Sequence, residues 1–239
     1  MAQLQVKQVE CANCGAKLDV RSGLRMQTFV CDYCGAVCEN EQVVAIQEQD
    51  DLKKTYAPRS FLKLGMQGSF LGQTYEIVGR IRSEGFEAGE KWTWDEWFLL
   101  SATGFPLWIQ EDETGFTLFR VHVPTAFIDP YNLGDTYYIG GETYQVDEQG
   151  VASLIYLEGE LTWKARPGET VNYVDLKRGN RRFSIEYNEE EVQYLEGQTL
   201  SIQQMKQAFP DAVTEKVVAQ EAKAAKKRRT VNWWVMGGA

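Results

Sequence analysis

Four cysteines in two Cys-x-x-Cys pairs, Cys11-Ala12-Asn13-Cys14 and Cys31-Asp32-Tyr33-Cys34, stand sixteen residues apart near the start of the chain. This is the ligand spacing of a structural zinc ribbon, in which four thiolates close a tetrahedron around one Zn²⁺. Each pair is followed by Gly-Ala, at Gly15 and Gly35, where a glycine supplies the positive φ that turns two thiolates onto one ion. Four protein ligands leave no coordination position for a substrate, so the expected metal is structural rather than catalytic. A redox pair or an iron site would use the same spacing. A disulfide framework fits poorly, because there are five cysteines, no apolar leader in the first ten residues and a long cysteine-free remainder. The fifth, Cys38, reads as a buried or free thiol, with a substitute ligand as the lesser alternative.

Other chemistry is sparse. His122, the single histidine, sits in the apolar stretch Val121-His122-Val123-Pro124, a setting for a structural imidazole rather than a base. No Gly-x-Ser-x-Gly elbow, phosphate loop or His-Glu-x-x-His pair occurs, and Glu189-Glu190-Glu191 reads as a solvated turn. The chain is therefore not expected to be an enzyme, although a carboxylate-pair hydrolase stays open as a further alternative. A net charge of −9 opposes sequence-independent binding to nucleic acid, which depends on Lys and Arg meeting phosphates. Residues 1–48 are themselves acidic, so the ribbon offers no basic patch. Absent spans and reduced cysteines lead us to expect a cytoplasmic protein, with peripheral contact at the inner membrane as the accompanying expectation.

The elements that must position these residues are mainly β. The expected organisation is a zinc ribbon at 1–40, a polar linker at 41–59, a duplicated antiparallel β module at 60–130 and 131–200, and a helical, basic aromatic tail at 201–239. Short runs such as Thr74-Tyr75-Glu76-Ile77-Val78, Trp97-Phe98-Leu99-Leu100 and Leu154-Ile155-Tyr156-Leu157 are rich in aromatic and β-branched residues and bounded by turn residues. Leu64-Gly65 and Gly72-Gln73-Thr74-Tyr75-Glu76-Ile77 recur as Leu133-Gly134 and Gly141-Glu142-Thr143-Tyr144-Gln145-Val146, at a constant offset. The repeat predicts two hairpin-led units that pack as a barrel or a sandwich.

Two clusters suggest contact surfaces. Trp92, Trp94, Trp97 and Trp108 form the densest aromatic group, with Trp92 and Trp94 on one strand face. They read either as core or as a stacking surface for a basic peptide, with Asp95 and Glu96 as its acidic rim. At the other end, Ser201 and Gln204 form a capping-box signature ahead of Ile202, Met205 and Phe209. A second helical stretch is expected from about Val213 to Arg229. It ends in Lys226-Lys227-Arg228-Arg229, followed by Trp233 and Trp234. Cations beside indoles are the composition of an interfacial anchor for anionic lipid, or of a tail packed on the acidic body.

Three segments of the body carry a resemblance. They are Leu62-Lys63-Leu64-Gly65, then Gly72-Gln73-Thr74-Tyr75-Glu76-Ile77-Val78-Gly79-Arg80, then Trp94-Asp95-Glu96-Trp97-Phe98-Leu99. Together they resemble the bacterial domain of unknown function 4178, over about residues 60–200. The second copy lacks the Gly-Arg pair, so any surface formed by that arginine exists once. The resemblance implies a component of bacterial membrane-stress systems, a non-enzymatic adaptor that binds a protein partner such as a phage-shock-type membrane-remodelling protein. It carries no catalytic residues. A zinc-ribbon nucleic-acid-binding regulator is the alternative, and the acidic balance opposes it.

Overall fold

The computed structural model describes residues 7–21, 26–39, 42–44, 55–58, 60–87, 90–125, 132–189 and 191–210. The tail from residue 211 onward, with Lys226, Lys227, Arg228, Arg229, Trp233 and Trp234, lies outside the described residues.

Five short strands precede the body: β1 (Lys7–Glu10), β2 (Lys17–Val20), β3 (Thr28–Val30), β4 (Val37–Glu39) and β5 (Gln42–Val44). The first unit of the body contains β6 (Gln67–Phe70), β7 (Gln73–Glu87), β8 (Glu90–Ser101), β9 (Pro106–Glu111) and β10 (Phe116–Val121). The second contains β11 (Thr136–Ile139), β12 (Glu142–Leu161), β13 (Thr170–Arg178), β14 (Arg181–Tyr187) and β15 (Val192–Leu200), followed by one helix, α1 (Ile202–Ala208).

Strands β7, β8, β9, β10, β15, β14, β13 and β12 pair in that order, and β12 pairs again with β7, which closes an eight-stranded antiparallel barrel. Closure removes the exposed edges an open sheet would present. Of the barrel and the sandwich left open by the sequence, the chain forms the barrel. The two units meet like to like, β10 against β15 and β7 against β12. Their entry turns also match: Gly65 N–H donates to Ile77 O and Ile77 N–H to Met66 O, while Gly134 N–H donates to Val146 O and Val146 N–H to Asp135 O. Tyr75 and Tyr144 are the third residues of β7 and β12, and both are buried.

Strand β12 is the seam of the molecule. Its first half pairs with β13, its second half with β7, and Glu160 and Leu161 continue onto β3. Where β7 and β12 cross most closely only glycine fits. A Cβ at Gly79 would lie 2.2 Å from Glu160 O, and one at Gly159, whose φ is +75°, would lie 2.3 Å from Val78 O.

Both faces of the barrel wall are covered in the first unit, which is why β8 shows no clean alternation. Phe98 and Leu100 join Val78, Trp108, Phe119, Leu157, Leu161 and Leu195 in one cluster. Trp97 and Leu99 face the other way, into a cluster closed by Leu62, Met205, Ala208 and Phe209. Helix α1 and its C-cap residue Phe209 deliver the last three. Its capping box is complete, with Gln204 N–H donating to Ser201 Oγ and Ser201 N–H to Gln204 Oε1.

The cysteine-bearing segment is seated on the barrel. Phe29 and Thr28 pair with Glu160 and Leu161, Thr28 Oγ1 donates to Trp163 O and accepts from Ala165 N–H, and Arg166 pairs with Glu39. Val37 is fully buried in the same cluster as Phe98 and Trp108. The range 41–59, expected as a linker, contains β5 and Tyr56, whose carbonyl accepts from Arg80 on the barrel wall. The reading of ribbon and body as units held apart by a polar tether is corrected accordingly.

Candidate metal centre and barrel interior

The two Cys-x-x-Cys pairs fold into the same turn. Cys11 N–H donates to Ala16 O and Gly15 N–H to Cys11 O; Cys31 N–H donates to Ala36 O and Gly35 N–H to Cys31 O. Gly15 and Gly35 take φ of 72° and 67°, the left-handed conformation that brings each chain back beneath its sulfurs. The Sγ atoms of Cys11, Cys14, Cys31 and Cys34 all lie within 4.8 Å of one another, with Cys11–Cys34 at 3.7 Å and Cys14–Cys31 at 3.8 Å. Tetrahedral ligation at a metal–sulfur distance of about 2.3 Å requires sulfurs separated by roughly 3.8 Å, so the quartet is compatible with a metal site. Burial opposes a charge on Cys11, but hydrogen bonds from backbone N–H groups at Cys14 and Asn13 and from the Cys31 and Cys34 thiols bring it down to about 6. Burial instead pushes Cys31 up to about 12. The fifth cysteine stays outside the quartet. Cys38 is buried, its thiol donates to Ala36 O, and burial together with the nearby Cys11 holds it at about 12.

The four tryptophans do not share a surface. Trp97 is fully buried on the outer wall, where its indole N–H donates to Glu111 Oε2 and the Arg80 guanidinium lies 5.4 Å from its ring centroid. Trp108 stacks with Phe98 and Trp163 inside the barrel. Trp94 and Trp92 also point inward, and Trp94 meets Tyr173 edge to face at 6.0 Å. Strands β7 and β12 lie between β8 and β13 in the ring, so this contact crosses the lumen. An exposed stacking platform is corrected to a set of interior and wall residues. Asp95 and Glu96 are not a common rim, because strand alternation sends them to opposite faces.

Asp95 faces outward into an ion cluster that the sequence did not reveal. Arg80, buried to 1% exposure, donates to Asp95 Oδ1 from Nε at 2.9 Å, to Glu158 Oε1 from Nη1 at 3.0 Å and to Tyr56 O from Nη2. Arg82 holds the other Asp95 oxygen at 2.7 Å. The cluster ties β7, β8 and β12 to the incoming segment at Tyr56.

Glu96 faces the lumen and accepts from Trp94 Nε1 at 2.6 Å. By the same register argument Asp175 of β13 and Glu186 of β14 point inward, since Val174, Leu176, Phe183 and Ile185 form the outer cluster. Burial raises all three carboxyls, Asp175 to about 7. Their only warning in the sequence is the alternation of polar with apolar residues in β13 and β14, which equally describes a solvated face. His122 lies beside Glu196 at 3.5 Å and against Phe183, as a structural imidazole would.

The family model described as Domain of unknown function (DUF4178) matches residues 63–202, more than half of the chain. The chain belongs to the DUF4178 family. The match runs from just before β6 to the first residue of α1, so the DUF4178 domain is the closed barrel, and the cysteine quartet precedes it. No curated protein and no solved structure matches the chain. Among the described residues no helix is long and apolar enough to cross a membrane.

Proposed function

We propose that this protein is a non-enzymatic adaptor of a bacterial membrane-stress system, built on a barrel whose end is stapled by a structural Zn²⁺. The observation that carries the reading is the closed sulfur quartet, whose four thiols leave no ligand position for chemistry and whose surrounding strands join the barrel seam at β12. Zn²⁺ bound by Cys11, Cys14, Cys31 and Cys34 would fix the turns that hold Val37 against the barrel core. Its role is stability, and the barrel supplies the binding surfaces. The basic tail with Trp233 and Trp234 supports recruitment to anionic lipid, and the family resemblance supports a membrane-remodelling coiled-coil protein as the partner.

The test has two arms. Elemental analysis of the reduced protein is expected to give one zinc per chain, with iron as the competing result. Sedimentation with anionic and neutral vesicles and with DNA then compares the full chain with a version carrying Lys226→Glu, Lys227→Glu, Arg228→Glu and Arg229→Glu. Tail-dependent pelleting with anionic vesicles alone supports the adaptor. Tail-dependent DNA binding supports a zinc-ribbon regulator instead, and loss of neither pelleting nor DNA retention removes the tail from the mechanism.

A further inference from the structure

The turn between β13 and β14 concentrates positive charge. It reads Lys177-Arg178-Gly179-Asn180-Arg181-Arg182, four cations in six positions of a chain whose net charge is −9. The register sets Lys177 opposite Arg182 and Arg178 opposite Arg181, and like charges placed directly across two strands repel. The fold does not demand them. Strands β8 and β9 hold the equivalent places in the first unit, and their turn, Ser101-Ala102-Thr103-Gly104-Phe105, carries no charge. Compensation is partial: Glu142 serves Arg178 and Arg181, and Asp147 serves Lys177, so two carboxylates meet four cations and leave a local charge of +2. Arg182 donates to the carbonyls of Gly179 and Arg181, and no carboxylate reaches it among the described residues. The Lys177, Arg178 and Arg181 side chains are each about half exposed, and pairs so exposed exchange readily for another anion.

A groove runs beside this turn. Strand β12 pairs with β7 from Ala152 to Gly159, whereas at Glu142–Gln145 its partner is β11, so there the sheet continues past the closed ring and the face that forms lumen at Asp175 opens to solvent. Along that face Thr136, Gln145, Lys177 and Arg182 are successive cross-strand partners, and Tyr138 lies opposite Thr143. The groove has a volume of about 600 Å³ and is lined by Thr136, Thr143, Gln145, Lys177, Arg178 and Gly179. Its lining offers hydroxyl, amide and cationic donors together, the combination that holds a phosphate oxygen by oxygen. The ring of Tyr138, 76% exposed on the same face, offers an apolar surface to the skeleton that carries the phosphate. A phosphate monoester bears about −1.5 to −2 at neutral pH and so matches the local charge, which a singly charged phosphodiester does not.

We propose that the groove between β11 and the β13–β14 turn binds the phosphate of a phosphate monoester, with Lys177, Arg178 and Arg182 as counter-charges, Thr136, Thr143 and Gln145 as neutral donors and Tyr138 against the carbon skeleton. The monoester is either a free small molecule or the headgroup of a lipid such as phosphatidic acid. The site is separate from the cysteine quartet and from the basic tail.

Two arms distinguish the sources. Isothermal titration of the full-length protein with phenyl phosphate tests the free monoester, with methyl phenyl phosphate as the singly charged comparison. Sedimentation with phosphatidylcholine vesicles containing phosphatidic acid or phosphatidylglycerol tests the headgroup, using the chain that carries Lys226→Glu, Lys227→Glu, Arg228→Glu and Arg229→Glu so that the tail adds no attraction. One saturable phenyl phosphate site is expected, with the diester at least about tenfold weaker. Lys177→Gln and Arg182→Gln should each weaken it at least about tenfold, and Thr143→Val, which removes a donor without touching the charge, should weaken it several-fold, all three with the melting temperature of the unliganded protein unchanged. Lys91→Gln, on a surface cation held by Glu84 in the first unit, should leave binding unchanged. Retention by phosphatidic acid vesicles without phenyl phosphate binding, and with the same losses in the three variants, assigns the ligand to the lipid. Binding in neither arm, equal retention by phosphatidylglycerol and phosphatidic acid, or losses that Lys91→Gln shares would overturn the proposal.

Discussion

Replacing Arg80 with Met leaves the side-chain volume nearly constant and removes the charge at the centre of the outer-wall cluster. Arg80 serves Asp95, Glu158 and the carbonyl of Tyr56, and its guanidinium lies 5.4 Å from the centroids of both Trp97 and Tyr156. Removing one partner of a buried ion pair costs about 3–5 kcal/mol because the other is left uncompensated. Here neither acid is abandoned: Asp95 keeps Arg82, and Glu158 Oε2 keeps the Tyr156 hydroxyl at 3.1 Å. The cost therefore falls at the lower end, about 3 kcal/mol, which for a chain of this size lowers the melting temperature by roughly 6–12 °C. The assay is thermal and urea unfolding of Arg80→Met, Asp95→Asn and the double variant. The double variant should be less destabilised than the sum by about 1 kcal/mol or more, since residues of one network couple. Arg80→Lys should recover little, because an ammonium cannot reproduce the fork that reaches three acceptors. A loss below about 1 kcal/mol for Arg80→Met, or strict additivity with Asp95→Asn, would refute the assignment of the cluster as a structural clamp.

Three further outcomes follow from the same geometry. Cys11→Ser should abolish zinc binding and lower the melting temperature of the whole chain rather than melting the ribbon alone, because Val37 and Thr28 are part of the barrel's own packing; calorimetry showing an unchanged main transition would contradict this. Gly159→Ala places a Cβ 2.3 Å from Val78 O at a φ of +75° and should cost at least about 3 kcal/mol, read by urea unfolding, whereas Gly72→Ala, with open space around its Cβ, should cost only the conformational strain of about 1–2 kcal/mol. Asp175 takes up its proton more readily in the folded barrel, where burial raises it to about 7, than in the unfolded chain at about 3.9. The folded state then binds more protons between those values, so this group makes stability fall as pH rises from about 4 to about 7 and stay level above. Asp175→Asn should remove that slope and raise the melting temperature at pH 8, with little change at pH 4; an unaltered pH profile would show that Asp175 is solvated.

The cysteine quartet was legible because its information is local. Two thiols and a glycine within five residues define each turn, and only the pairing of the turns needs the rest of the chain. The capping box at Ser201 and the recurrence of Leu64-Gly65 through Ile77 at Leu133-Gly134 through Val146 were legible for the same reason, since hydrogen bonds within a single short segment enforce them. Alternation in β13 and β14 likewise separated the side chains into two faces. It could not say which face was inside. In an open sheet Asp175 and Glu186 would lie in water and Val174 and Ile185 in the core, but closure of β7 on β12 turns the carboxylates into lumen and covers the apolar face from outside. Trp94 and Trp97, three residues apart, fall on opposite faces by alternation, and the same closure decided which face became lumen and which wall, while Arg80 gained Glu158 from 78 residues away. Local hydrogen-bond chemistry is written residue by residue, whereas inside and outside, and the partners of a buried charge, exist only once the ring of strands has closed.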